Sequence, residues 1–299
     1  MQLKYSFKKE WSHFSRTLRI WGVIAAILGF AVSNPMMFKF MAVIMNEVMP
    51  GSPDISQASI SYTVNYIPED GGSIFGGIDI NDALSMYSDA GMMFSVSLAS
   101  FATSGLLVIM LLLMSAAGGE QKKRAMIVPM CSGLEYKNYL IPKFIIYPLF
   151  TFGVSFVSSL IAGGLCNSMF ENNKISAARL LLTALDMSVY MMFIVCVFLS
   201  LGLCTSRPGI MVPSIFLGQM LIESLLNGLG MLRYHPFALL GYVDSGVITS
   251  SEYPFEDEIP SFVTAIILSF VICVMMYFLA LGVLKAKKIN NQKEIEPEF

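Results

Sequence analysis

Six runs of roughly twenty mostly apolar residues, at 20–38, 93–116, 144–166, 179–204, 209–230 and 261–284, constrain this chain more than any other feature. A bilayer's hydrocarbon core is about 30 Å thick and takes about twenty helical residues to cross. Inside it, backbone N–H and C=O groups must pair within the protein, so isolated apolar runs of this length are read as helices. Charge content agrees. Charged residues make up 13% of the chain, against about 25% in an average soluble domain.

The Lys and Arg residues orient the spans. Fifteen of nineteen fall in the arm before span one, the loop between spans two and three, the "TSRPG" turn and the tail. The positive-inside rule places these segments, and so both termini, in the cytoplasm of a cell membrane crossed six times. Within the 20–284 membrane domain, residues 39–92 and 231–260 form outer loops and 117–143 a cytoplasmic loop. Residues 285–299 are the cytoplasmic tail. Asn34-Pro35 predicts a kink or an early exit from span one. "NGLGMLRYHPFALLGY" predicts broken helix after span five, in a re-entrant or interfacial segment.

Residues 1–19 have a pattern of their own. Phe7, Trp11, Phe14 and Leu18 recur at helical spacing, with Lys8, Lys9, Arg16 and Arg19 among the remaining positions. An aromatic stripe opposite a basic face predicts an amphipathic helix lying in the membrane interface. The expected fold class is therefore an all-α integral membrane protein with six transmembrane helices and an N-terminal amphipathic interfacial helix. Residues 20–30, with Ala31-Val32-Ser33 after them, also have the outline of a cleavable signal peptide. The long amphipathic arm and the apolar residues beyond that point argue against cleavage.

Reaction chemistry is sparse. There is no G-x-x-x-x-G-K-[ST] phosphate loop and no H-E-x-x-H, and the two histidines are His13 and His235. The five cysteines form no CxxC pair, and the methionines are scattered as helix-interface filler. No catalytic residue, cofactor site or metal site is expected in this chain, and it is not expected to be an enzyme.

Ionisable side chains within spans are costly and usually face protein or water. Two qualify, Asp186 in span four and Glu223 in span five. Arg179, seven residues from Asp186, could pair with it locally. Gln219, Glu223 and Asn227 form a polar ridge on span five that could line a translocation path, sit at a subunit interface or bond neighbouring helices.

The 117–143 loop carries a more specific pattern. Glu120 ends the apolar run, Lys122, Lys123 and Arg124 follow, Met126, Ile127 and Val128 form an apolar stretch, Gly133 opens a turn, and Lys143 precedes span three. In layout and spacing this resembles the permease subunits of type-2 ABC exporters, the ABC-2 family. Arg124-Ala125 stands where that pattern has Gly-Thr, and Gly133-Leu134-Glu135-Tyr136 where it has Pro-x-Ser-Arg. The resemblance covers six spans, the N-terminal helix and the broken fifth segment. It implies that the loop is a coupling element docked on a separate ABC ATPase subunit, which would bind ATP and Mg. It also implies a second permease copy or paralogue, a lipid setting and no nucleic acid. The expected function is then the transmembrane subunit of an ATP-driven exporter. The residues alone also leave open an ion- or proton-coupled secondary transporter, or a non-transporting scaffold or sensor.

Overall fold

The computed structural model describes residues 2–16, 18–48, 89–114, 116–117, 134–205, 208–246, 248–249 and 255–293. Within them the chain is helical almost throughout, with no β-strand. Six of its helical segments are long and apolar enough to cross a membrane: Ile20–Met41, Ala90–Leu113, Tyr136–Met169, Ala177–Cys204, Gly209–Gly228 and Ile259–Ala286. The chain is a multi-pass, all-α membrane protein.

The N-terminal helix α1 (Gln2–Arg16) leads into α2 (Leu18–Val48). The second span is α3 (Ala90–Ser100), a π turn over Phe101–Gly105, and α4 (Leu106–Leu113). Next come α5 (Tyr136–Met169), α6 (Ala177–Cys204) and α7 (Pro208–Gly228). A 3-10 turn at Leu232–Tyr234 and the short α8 (Ala238–Asp244) precede the last helix, α9 (Ile259–Lys293).

Helix α6 is the core. Of its most apolar stretch 83% is buried, against 11% for α9, because α4, α5, α7, α8 and α9 all pack around it. At one end of the bundle, Tyr139 and Leu140 of α5 cluster with Leu203 of α6 and with Ala280 and Leu284 of α9. This is the termini end. Its chain approach is tight, since a Cβ added at Gly202 would lie 2.6 Å from the carbonyl oxygen of Ala117. At the far end Asp89 caps α3, accepting from Met92 N at 3.0 Å, and also accepts from Asn173 Nδ2 at 2.8 Å.

Two expectations need correction. Helix α2 does not leave at Pro35 but runs on to Val48, so the first far-end connection begins ten residues later than expected. Asn34, beside the proline, donates to the carbonyl of Ser97 at 3.1 Å, just before the π turn. A π turn disturbs the regular carbonyl pairing of a helix. Asn34, with the Thr103 hydroxyl donating to Ser100 O at 3.0 Å, serves the carbonyls at that break. Helix α5 begins at Tyr136, so Lys143 sits two turns inside it rather than at its mouth. Helix α9 continues to Lys293, so the start of the tail is helical.

The broken segment after span five follows its sequence. Gly230 adopts φ 66°, a conformation that favours glycine, and ends α7. Leu239 and Val243 of α8 are then buried against the core.

Candidate functional site

Two buried polar groups stand out. The first joins α1 to α5 at the termini end. Lys143, with no exposed surface, pairs with Glu10 at 3.3 Å. Tyr147 OH donates to the same Glu10 oxygen at 2.8 Å, and Lys143 Nζ donates to the carbonyl of Ala116 at 3.4 Å. The ammonium also lies 5.0 Å from the Tyr139 ring centre, in cation–π range. Lys143 thus ties together α1, the chain just past span two, and α5.

Local spacing explains the arrangement. Tyr139, Lys143, Tyr147, Thr151, Ser155 and Ser159 repeat every four residues and are all buried, so α5 turns a polar stripe inward. Glu10 is the only acid in the arm, and α1 presents Ser6, Glu10 and Phe14 to the protein. Phe14 is wedged edge-on against Tyr147 and Phe150, with ring centres 5.0 and 4.9 Å apart.

The expected aromatic stripe of α1 is therefore divided. Phe14 is in the core and Phe7 partly buried, whereas Trp11 is 55% exposed. Leu18 belongs to α2. The clamp on Glu10 sets this rotation of α1.

The second group lies deeper. The hydroxyl of Tyr190 (α6) donates to Gln219 Oε1 at 3.0 Å, and Gln219 Nε2 donates to Glu223 Oε1 at 2.7 Å. Of the expected ridge on α7, Gln219 is buried, Glu223 half-buried and Asn227 exposed, so the ridge emerges from the protein as it climbs.

Asp186 lies one helical turn before Tyr190. It has no exposed surface, and neither carboxylate oxygen has a hydrogen-bond partner. The local pair with Arg179 does not form, and Arg179 Nη1 is itself buried without a partner. Seven residues separate the two by about 10 Å of helix rise, too far for contact.

Helix α8, which carries Tyr242, packs against α6, which carries Asp186. The Tyr242 hydroxyl donates to Glu258 Oε2 at 3.3 Å, just before α9. Burial and then the Glu258 carboxylate hold the Tyr242 phenol above its usual range, so it is a neutral hydrogen-bonding group.

The remaining sequence-derived residues, Glu120, Lys122, Lys123, Arg124, Met126, Ile127, Val128 and Gly133, lie outside the described residues. Lys143 alone of that set is placed, and it contacts α1. Sequence reasoning missed Glu10, Tyr139 and Tyr147. Their signal was present in a lone acid within a basic arm and in the four-residue polar repeat of α5. No protein-family model matches the chain, and no curated protein or solved structure shows significant similarity to it.

Proposed function

We propose that this chain is the membrane-spanning subunit of an ATP-driven exporter of the ABC-2 class, worked by a separate ATPase subunit docked on its 117–143 loop. The observation that carries the reading is the clamp at Lys143. It lies just after that loop in sequence and holds α1, the chain end at Ala116 and α5 in one unit. A push on the loop would reach spans two and three and the N-terminal helix together, as a coupling element requires. Charged Lys122, Lys123 and Arg124 beside apolar Met126, Ile127 and Val128 supply the mix of rim and anchor found at protein interfaces.

The positive-inside rule puts this end in the cytoplasm, where an ATPase would meet it. Trp11 and Tyr5 on the outer side of α1, near Lys4, Lys8 and Lys9, suit a helix resting on an anionic lipid surface. The apolar faces of α7 and α9 that are open in the single chain would meet lipid and a second permease.

The test is co-purification with an ATPase subunit whose ATP hydrolysis the permease stimulates. Reversing the charges at Lys122, Lys123 and Arg124 while truncating Met126, Ile127 and Val128 to Ala should abolish both assembly and stimulation. Retention of both would sink the docking role.

A further inference from the structure

We propose that Asp186 is a proton-binding site, loaded from the far end of the bundle through the Tyr242 hydroxyl and Glu258. The site does not depend on an ATPase partner, and it assigns Asp186 a role beyond that of a helix-bonding or path-lining residue.

The first ground is isolation. Asp186 is fully buried in the most enclosed helix of the bundle, and neither oxygen accepts a hydrogen bond. An ionised carboxylate removed from water needs a cation or several donors, and without them the group neutralises instead. Among the described residues no cation is shown beside it. Arg179 is two turns away, and Lys143 is engaged with Glu10 at the other end of the bundle.

The second ground is a route. On α8, which packs against α6, stands Tyr242, whose hydroxyl has two acceptors, half-buried Glu258 at 3.3 Å and the Arg233 carbonyl at 3.4 Å. A phenol hydroxyl both accepts and donates, so it can take one proton as it gives up another. Protonated Glu258 gives its proton to the Tyr242 oxygen as the phenol proton passes to an Asp186 oxygen. Glu258 is left as a carboxylate, which water at the far end reprotonates. The relay requires Tyr242 and Asp186, which stand on packed helices, to meet directly or through a water.

The other groups around α6 fit the same picture. On α6 itself Tyr190 is committed to Gln219, which holds α7's Glu223. On α5 Cys166 is turned toward Ser97 of α3. The free cysteines Cys273 of α9 and Cys196 line one shared cavity, and α4 carries no ionisable residue.

The full chain in lipid nanodiscs, studied by infrared difference spectroscopy, tests this. Wild type should show a protonated-carboxyl C=O stretch at neutral pH, and Asp186→Asn should lack it. Hydrogen–deuterium exchange of that band should slow roughly a hundredfold in Tyr242→Phe, the scale of losing a placed proton relay. Glu258→Gln should slow it in the same direction. A wild type without the band, or a band that survives Asp186→Asn, overturns the proposal. Should Asp186→Asn fail to fold, the two relay variants decide, because both keep Asp186. Exchange at the wild-type rate in both would overturn the loading route and with it the proposal.

Discussion

Glu10 and Asp186 are both buried carboxyl side chains in one small bundle, and their surroundings are opposite. Glu10 meets an ammonium at 3.3 Å and a phenol at 2.8 Å, whereas Asp186 meets no hydrogen-bond partner. A paired buried charge is locked to one geometry, because moving either partner strands the other. An unpaired one is free to change its protonation state without breaking a contact. The termini end is thus built to hold together, and the interior toward the far end keeps a group in reserve. The same contrast runs along α5. Tyr139, Lys143 and Tyr147 engage partners, whereas the hydroxyls of Ser155, Ser158 and Ser159 are buried without any.

Removing one member of the clamp should have the largest effect. Lys143→Met strands Glu10 and should destabilise the protein by about 3–5 kcal/mol, the usual cost of breaking a buried pair from one side. Thermal or denaturant unfolding in detergent reads this. Adding Glu10→Gln to Lys143→Met should recover much of the loss, a non-additivity expected of direct partners. Asp186→Asn breaks no named contact and should cost about 1 kcal/mol, well below the loss at Lys143. Equal losses at Lys143 and Asp186 would erase the distinction between the two sites.

Tyr147→Phe removes only the phenol hydrogen bond to Glu10 and keeps the ring against Phe14. Its expected cost is about 1.5–3 kcal/mol, the range for hydrogen bonds to charged groups. A loss as large as that of Lys143→Met would mean that the phenol, not the ammonium, carries the clamp.

The legible part of this fold is what depends on the bilayer. Length and apolarity alone placed six spans, because a helix in lipid must satisfy its own backbone whatever its neighbours are. Span ends were less legible. Pro35 read as a kink or an early exit, and α2 passes through it without leaving, with Asn34 bonded across to Ser97. Lys143 read as the head of span three, yet lies within α5, where Glu10 covers its charge from 133 residues away in the chain. Asp186 was recognised as unusual from its residue type, but sequence spacing offered Arg179 as its partner. Only the packed bundle shows that the two do not meet. Pairing between distant segments left no periodic trace in either one.

Backbone proximity gives a smaller test at the termini end. A methyl at Gly202 would stand 2.6 Å from the Ala117 carbonyl oxygen, and backbone cannot turn aside as a flexible side chain does. Gly202→Ala should therefore cost about 1–3 kcal/mol through overpacking. Gly153→Ala is its control, with nothing within 4 Å of the new methyl. It should stay within about 0.5 kcal/mol. A harmless Gly202→Ala would show that the chain end at Ala117 yields, and that the termini end is less rigid than the clamp implies.

The smallest expected effect concerns pH, and it falls on the far half alone. His235, in the broken segment before α8, accepts the Phe237 N–H at Nδ1 over 3.3 Å, which requires a neutral ring nitrogen. Burial lowers its pKa below the ordinary 6.5. The unfolded chain thus takes up the proton first as pH falls. Stability is fully present above about 6.5, declines as pH drops toward the lowered folded value, and levels off once both states are protonated. Unfolding midpoints measured between pH 7.5 and 5.5 should show a shallow acid-side loss in wild type that His235→Gln removes and Tyr147→Phe leaves intact. If the slope vanished with Tyr147→Phe instead, the pH-sensitive element would lie at the clamp and not in the broken segment at the far end.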